Sequence, residues 1–189
     1  MTTSGDAERA DAARNRSRVL AAAEQLFTAR GPENVTMEDV ARVAGVGRAT
    51  LYRRYRDLAS IAVALLDRHE AKLQEQLMGG RPPLGPGASP ADRLCAFYSA
   101  MVELLEQHLP LVLGAEIGSS RFETGAYGFW RAHVRALLVE AGVPDPETMV
   151  DVALAPLAPD VYRYQRHVLG LSSSRVAGSL HVLARRLLG

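Results

Sequence analysis

The sequence predicts an all-α protein, and three observations lead to this fold class. Apolar residues recur at helical spacing along the chain, and no segment shows sustained alternation of apolar and polar residues. Glycine and proline cluster between the helical segments, where they end helices. Hydrophobic residues make up 48% of the 189 residues, which is enough for a sizeable core.

The stretch TMEDVARVAGVGRATLYRRY, residues 36–55, predicts two short helices joined by a tight turn. Thr36 is placed to cap the first helix, with Asp39 three residues later as in a capping box. A glycine then stops this helix, and small residues on both sides of the turn let two steeply crossing helices approach closely. The pattern is that of a helix-turn-helix. Its turn residues are expected to be Ala41, Gly45 and Val46.

The second of these helices carries side chains that suit nucleic acid. Residues 42–56 include five arginines and no acid. Arginine suits phosphate oxygens and the guanine edge, and tyrosine and threonine hydroxyls are uncharged phosphate donors. A solvated basic hairpin is the alternative, but the capping, the turn and the one-sided charge together favour a DNA-reading helix. The residues predicted to contact DNA are Thr36, Arg48, Ala49, Thr50, Tyr52, Arg53, Arg54 and Tyr55.

The segment GVGRATLYRRY resembles the signature of the TetR family of bacterial transcription regulators, which typically reads GVSxGTLYxxF. The resemblance is specific from about Val19 to Ile61. It implies a dimeric, ligand-responsive regulator, most often a repressor, that binds palindromic double-stranded operator DNA. Two residues depart from the family pattern. Gly47 replaces a serine that caps the recognition helix, and Leu58 replaces a lysine that touches phosphate, which should weaken the affinity for the DNA backbone.

The sequence is expected to divide into a tail, a head and a body. Residues 1–13 are predicted to be a disordered tail, residues 14–56 the helix-turn-helix DNA-binding domain, and residues 57–189 the ligand-binding and dimerisation domain. Residues 1–56 carry ten basic and seven acidic residues, a balance of +3, against twelve and fourteen in the remainder, a balance of −2. The basic excess therefore lies where a DNA contact is predicted.

The body is expected to be helical throughout, which gives about nine helices in the whole chain. Four prolines and four glycines in twelve residues predict a loop at 79–90. Pro156 and Pro159 should kink or split the penultimate helix. The predicted helices of the head and body are 14–30, the pair in 36–55, 57–78, 91–108, 110–119, 125–141, 146–169 and 173–188.

Apolar and aromatic residues of the body predict a cavity for a small apolar or aromatic effector. Many such residues must be ordinary core. Glu116 lies in the apolar run LVLGAEIG and would favour a cationic or hydrogen-bond-donating ligand, unless it pairs with an internal arginine such as Arg121 or Arg131. The candidate ligand-binding residues are Phe97, Met101, Glu116, Tyr127, Trp130 and His133.

The last two helices carry apolar stripes that predict a homodimer interface. Two helix-turn-helix units held about 34–36 Å apart can read a palindrome across successive major grooves, whereas one unit reads only a few base pairs. The alternative is that these stripes pack only inside the monomer. The residues predicted at the interface are Leu154, Val161, Val176, Leu180, Leu183 and Leu187.

Several other classes of protein are disfavoured by the sequence. No apolar run is long enough to span a membrane, and the polar start lacks the apolar core of a signal peptide, so a cytoplasmic location is expected. One cysteine, Cys95, excludes an internal disulfide. No catalytic or metal-ligating pattern is found, so we expect no enzyme, no metal and no cofactor. The alternative function is a helical ligand-binding protein with a degenerate DNA-binding head.

Overall fold

The computed structural model of the chain describes residues 4–115 and 125–189, and it confirms the all-α fold class. The chain divides into two compact units, Met1–Arg68 and His69–Gly189. Short turns of 3-10 helix lie at Pro32–Asn34 and Ala155–Leu157, and one π turn lies at Tyr164–Val168. The α-helices are α1 (Ser4–Arg30), α2 (Met37–Ala44), α3 (Arg48–Arg54), α4 (Leu58–Gly79), α5 (Pro90–Ala115), α6 (Gly125–Glu140), α7 (Pro146–Leu154), α8 (Pro159–Arg163) and α9 (Ser173–Leu188).

The first unit, here called the head, is built from α1, α2, α3 and the beginning of α4. Its core is a single cluster of buried apolar side chains contributed by all four helices, including Leu20, Val40, Leu51 and Ile61. Because Ile61 and Leu65 of α4 are buried in this core, the head ends inside α4, after the expected boundary at residue 56.

The beginning of α1 differs from the sequence prediction. The helix begins at Ser4, whereas a disordered tail was expected over residues 1–13 and a helix only from residue 14. Alanine, arginine and glutamate dominate residues 7–13, and all three have high helix propensity. The high helix propensity of this segment therefore outweighs its mixed charge.

The second unit, here called the body, contains α5 to α9 together with the end of α4. One helix, α5, runs from Pro90 to Ala115, although two helices separated near Pro110 were expected. A proline removes one backbone hydrogen bond but does not end a helix whose neighbouring turns are held by packing. Leu109 and Val112 on either side are buried, which favours continuation of the helix.

The two other predicted breaks in the body are present. Pro156 lies in the 3-10 turn that follows α7, and Pro159 begins α8, so the penultimate helical segment is split. The Pro/Gly-rich segment between α4 and α5 consists of turns. α9 packs against α5, and α6 packs against α7.

Side-chain hydrogen bonds join distant parts of the body. The Tyr98 hydroxyl donates to the backbone carbonyl of Ala153 at 2.8 Å. The Glu106 carboxylate on α5 accepts from the Tyr162 hydroxyl and from Arg166, whose Nε lies 2.8 Å away. None of the helices in the described part of the chain is both long and apolar enough to cross a membrane.

Candidate DNA interface and ligand cavity

The start of α2 is a complete capping box. The Thr36 hydroxyl accepts from the Asp39 backbone N–H at 3.2 Å, and the Asp39 carboxylate accepts from the Thr36 backbone N–H at 3.2 Å. Hydrogen bonds from Thr36 and Arg42 lower the pKa of Asp39 to about 2. The carboxylate is therefore ionised at neutral pH, beside the positive end of the helix dipole.

The turn after α2 favours glycine because of its backbone conformation, and a side chain there would also displace a neighbouring arginine. Gly45 has a φ of 61°, which is in the left-handed region. A Cβ at this position would lie 2.8 Å from the Arg18 guanidinium. Arg18 reaches from α1 and donates through Nε to the Ala44 carbonyl at 2.9 Å. The two other predicted turn residues are packed, since Ala41 is buried and Val46 is half-buried.

The recognition-helix candidate α3 begins without a side-chain cap. Its N-cap is Gly47, whose backbone carbonyl accepts from Leu51 but which has no side chain to accept from the first turn. Leu58, the other departure from the family pattern, packs against the head core. The start of α4 is capped instead by Asp57, which accepts from the Ser60 backbone N–H at 2.8 Å.

The outer surface of α3 carries most of the side chains that were predicted to contact DNA. Arg48, Ala49, Tyr52, Arg53 and Arg54 are exposed, and Thr50 is half-buried.

Tyr55 and Thr36 differ from the rest of the predicted set. Tyr55 is 5% exposed because its ring packs in the head core, so the ring does not lie on the exposed face of α3. Thr36 is exposed, but its hydroxyl is engaged in the α2 capping box, where it also donates to Asp39 at 2.7 Å.

Glu38 is a participant that the sequence analysis missed. Its Oε1 lies 2.5 Å from Nη2 of Arg48 and 3.4 Å from the Tyr52 hydroxyl. One carboxylate of α2 therefore holds two side chains of α3 across the turn. The available signal was a second acid, beside Asp39 in the first turn of α2, next to a helix whose charged residues are all arginines.

A largely apolar cavity of about 220 Å³ lies in the body. Met101, Tyr127 and Trp130, all candidate ligand-binding residues, line it. Two carboxylates, Glu70 and Asp151, supply polar lining. The remaining lining consists of Leu104, Leu105, Val112, Leu154, Ala155, Leu157, Ala158 and Pro159.

Three other candidate ligand-binding residues do not join the described cavity. Phe97 is fully buried and packs against the rings of Trp130 and His133, so it belongs to the core. His133 has a buried Nε2 without a hydrogen-bond partner among the described residues, and burial lowers its pKa to about 4. Glu116 lies outside the described residues, as does Arg121, one of its two possible partners.

Asp151 is the best-defined polar group of the cavity. It accepts from the Tyr127 hydroxyl and from Nε of Arg131, each at 3.2 Å. Arg131, the other arginine considered as a partner for Glu116, also contacts Glu147. These bonds fix the Tyr127 ring at the cavity wall.

The predicted interface residues are divided between the inside and the outside of the chain. Val176 and Leu180 are buried where α9 packs on α5, and Leu154 is buried at the cavity. These three are corrections, because the body itself covers them. Leu183 and Leu187 are half-buried, and Val161 is 38% exposed. Other exposed apolar residues toward the end of the described chain include Tyr164, Val168, Leu169 and Val182.

Comparison with known proteins identifies relatives of this chain. Residues 19–65 match the family described as "Bacterial regulatory proteins, tetR family". An uncharacterised HTH-type transcriptional regulator of Mycobacterium tuberculosis is 30% identical over 137 residues, 70% of this chain and 65% of the relative. An HTH-type transcriptional regulator of Staphylococcus aureus is 37% identical over 60 residues, 32% of each chain. The chain thus spans about two thirds of the length of the mycobacterial relative.

Two solved structures share the fold along most of the chain. A TetR/AcrR-family regulator from Thermobifida fusca has a TM-score of 0.66 at 17% identity, covering 89% of this chain and 95% of that chain. The fatty acid degradation regulator FadR from Bacillus halodurans has a TM-score of 0.64 at 14% identity, covering 92% and 94%. The capped α2, the glycine turn and the basic α3 define a helix-turn-helix protein. The chain belongs to the TetR family of bacterial regulatory proteins. The expectation that it is not an enzyme agrees with this membership.

Proposed function

We propose that the chain is a homodimeric, ligand-responsive transcription regulator that acts as a repressor. It binds palindromic operator DNA and releases this DNA when it binds a small molecule. The observation that carries the proposal is a helix-turn-helix with an exposed arginine-rich α3 in the same chain as an apolar cavity. The relatives named as HTH-type transcriptional regulators support it.

In this proposal α3 enters the major groove, whose width admits an α-helix. The Arg48 guanidinium exchanges the Glu38 carboxylate for a guanine edge or a phosphate, because both partners are well exposed and such ion pairs are weak. Tyr52 donates its hydroxyl to a phosphate. Glu38 keeps both side chains extended across the turn until DNA arrives.

The cavity favours a small, flat, apolar effector that is neutral or cationic. Its volume of about 220 Å³ is below the range of roughly 300–1,000 Å³ common for ligand pockets. Trp130 and Tyr127 offer ring surfaces, and Asp151 and Glu70 bring negative charge. No lysine or arginine is among the described lining residues. Asp151 is already paired with Arg131, and no described lining residue offers a cation to a fatty-acid carboxylate, so an effector of the kind suggested by the name of FadR is disfavoured here.

Release requires that the effector bind two states of the protein with different affinity. α4 is one continuous helix from Leu58 to Gly79, and its Glu70 lines the cavity. A ligand that touches Glu70 therefore touches the helix that follows the helix-turn-helix in the chain.

A second copy of the chain would cover the exposed apolar residues near the end of the body. Val161 on α8, Val168 in the π turn and Leu169 directly after it have exposed fractions of 38%, 68% and 52%. Val182 on α9 is 61% exposed. A two-fold symmetric contact through such a surface pairs two heads, as a palindromic operator requires.

The second candidate is a ligand-binding protein whose head no longer reads DNA. The uncapped start of α3 at Gly47 and the loss of a basic residue at Leu58 favour it. The first candidate has more support, because the exposed face of α3 keeps its arginines.

Fluorescence anisotropy of the purified protein tests the two candidates. Labelled duplexes carry the DNA upstream of its own coding sequence or a scrambled version, and the salt concentration is varied. A regulator is expected to prefer its own upstream DNA by about a hundredfold or more and to bind with an even number of chains. Weak binding that is equal on both duplexes favours the second candidate.

A further inference from the structure

A second cavity lies in the head, beside α3. Its volume is about 300 Å³, and it is lined by residues of α1, of the turn and of α3. Val19 and Val46 supply apolar lining, whereas Asn15 and Thr50 supply polar lining. Ala12 of α1 also lines the cavity, and it lies before residue 14, where the sequence predicted that this helix begins.

Tyr55 lines this cavity and has an unsatisfied hydroxyl. The hydroxyl is buried and has no hydrogen-bond partner among the described residues. The residue as a whole is only 5% exposed. Buried hydroxyls are nearly always paired, so an unpaired one calls for an explanation such as an absent ligand. Phenylalanine would fill the same volume without this cost.

The rim of the cavity is positively charged. Arg53 and Arg54 both line it, and both are exposed. Nη1 of Arg54 donates to the Ala12 carbonyl at 3.4 Å, which is a long and weak bond. Its guanidinium can therefore turn toward an incoming anion at little cost. The cavity thus offers donors suited to phosphate oxygens. They are the two guanidinium groups, the hydroxyls of Thr50 and Tyr55, and the amide of Asn15.

We infer that this cavity is a phosphate subsite, occupied by a backbone phosphate of bound DNA. The inference rests on the proposed function, because it takes its phosphate from DNA held by α3. Arg54 and Arg53 attract the phosphate, and the Tyr55 hydroxyl donates to one of its oxygens once the rim side chains have turned. The subsite lies on the α1 side of α3, whereas Glu38 holds Arg48 and Tyr52 on the α2 side. DNA is thereby contacted on both sides of α3.

The test is the substitution Tyr55→Phe, which removes one hydroxyl and keeps the ring in the core. Anisotropy titrations use the same two duplexes across a salt series. We expect affinity to fall about threefold to tenfold, equally on both duplexes, because a phosphate contact is independent of sequence. The dependence of affinity on salt should not change, because the hydroxyl is uncharged. The thermal midpoint of the free protein should stay equal or rise.

Arg54→Gln provides the charged counterpart, and Arg81→Gln is its matched control. Arg81 is an exposed arginine in the turns between α4 and α5. Arg54→Gln should weaken binding on both duplexes and reduce the slope of log affinity against log salt by about one. Arg81→Gln should leave both quantities unchanged.

Two results would overturn the inference. One is wild-type affinity in Tyr55→Phe, and the other is a loss confined to a single duplex, which would indicate a base contact. Inorganic phosphate at matched ionic strength separates the possible sources of the anion. If it raises the thermal midpoint of the wild type while Tyr55→Phe leaves DNA affinity intact, the site takes a free anion. A wild type that binds both duplexes alike contradicts the proposed regulator, yet Tyr55→Phe still tests the subsite.

Discussion

Two buried tyrosines show how differently the head and the body use their polar groups. Tyr98 in the body is fully buried, and its hydroxyl donates to the Ala153 carbonyl at 2.8 Å. Burial raises the pKa of Tyr98 far above its usual value, so the hydroxyl is a permanent donor. Tyr55 in the head is almost as buried, but its hydroxyl has no partner among the described residues. The body uses its hydroxyl to join two helices, whereas the head keeps one available beside α3.

The polar contacts that begin two helices of the head differ in role from the contact that joins distant segments of the body. Those at the starts of α2 and α4 join residues three apart in sequence, such as Thr36 with Asp39 and Asp57 with Ser60. In the body, Glu106 is bonded to Arg166, sixty residues away. Substitutions at such body contacts should therefore affect stability first, whereas those on the exposed face of α3 should affect binding first.

The largest effect is expected for the apolar packing of α9 on α5. Leu180→Ala should lower the free energy of unfolding by about 2–5 kcal/mol, because it opens a cavity inside the chain. Val182→Ala is the matched control, since Val182 is 61% exposed on the same helix. Urea denaturation at one low protein concentration measures both. A smaller loss for Leu180→Ala than for Val182→Ala would mean that a partner, and not α5, covers Leu180.

The two tyrosines should respond in opposite ways to the same substitution. Tyr98→Phe leaves the buried Ala153 carbonyl without its donor and should cost about 1–3 kcal/mol. Tyr55→Phe removes an unpaired hydroxyl and should cost nothing in the free protein. Thermal and chemical denaturation of both variants give the comparison. Equal losses would show that Tyr55 has a partner in the folded head.

Acid should weaken the body through Glu106. The hydrogen bond from Arg166 lowers the pKa of Glu106 to about 2, below its ordinary value of 4.5. The folded state then releases this proton more readily than the unfolded state, so the contribution to stability is present above about pH 4.5 and is lost as the pH falls toward 2. With the Glu106 side chain 41% exposed, solvent screening reduces the contribution to about 1 kcal/mol. Glu106→Gln should lose this pH dependence in denaturation curves recorded from pH 6 to about pH 2.5. Identical curves for variant and wild type would contradict the assignment.

The smallest effect is expected at the start of α3. Gly47→Ser supplies the missing side-chain cap and should stabilise the head by a few tenths, about 0.3 kcal/mol. Thr36→Ala, at the capped start of α2, should instead cost about 1 kcal/mol. Circular dichroism melts detect both changes. Destabilisation by Gly47→Ser would indicate that glycine is needed there for a reason other than capping.

The head could be predicted closely because its signals are local in sequence. Thr36 and Asp39 are three residues apart in the sequence. Gly45 indicates the turn because glycine readily adopts the positive φ that the structure has there. Local signals could not predict which side chains of the helix-turn-helix are bonded or buried by residues that are not their neighbours in sequence. Glu38 contacts Arg48 only after the turn has brought the two helices together, and Tyr55 turns into the core at the end of α3.

The body was harder to predict because periodicity does not identify the neighbour that covers a stripe. Val176 and Leu180 form an apolar stripe of the kind that can pair with a second copy, yet α5 of the same chain covers them. Similarly, aromatic residues do not reveal which of them border a cavity. Trp130 lines it, whereas Phe97, one helix away, is fully packed.

The central claim is that α3 reads DNA while the body maintains the fold, and Arg48→Ala tests it most directly. The measurement is the ratio of affinities for the upstream and scrambled duplexes, with the free energy of unfolding measured alongside. The account predicts that the ratio falls at least about fivefold, since a specific arginine contact is lost. Unfolding should change by less than about 0.5 kcal/mol, because Arg48 is exposed. An unchanged ratio would contradict the assignment of sequence reading to this face of α3.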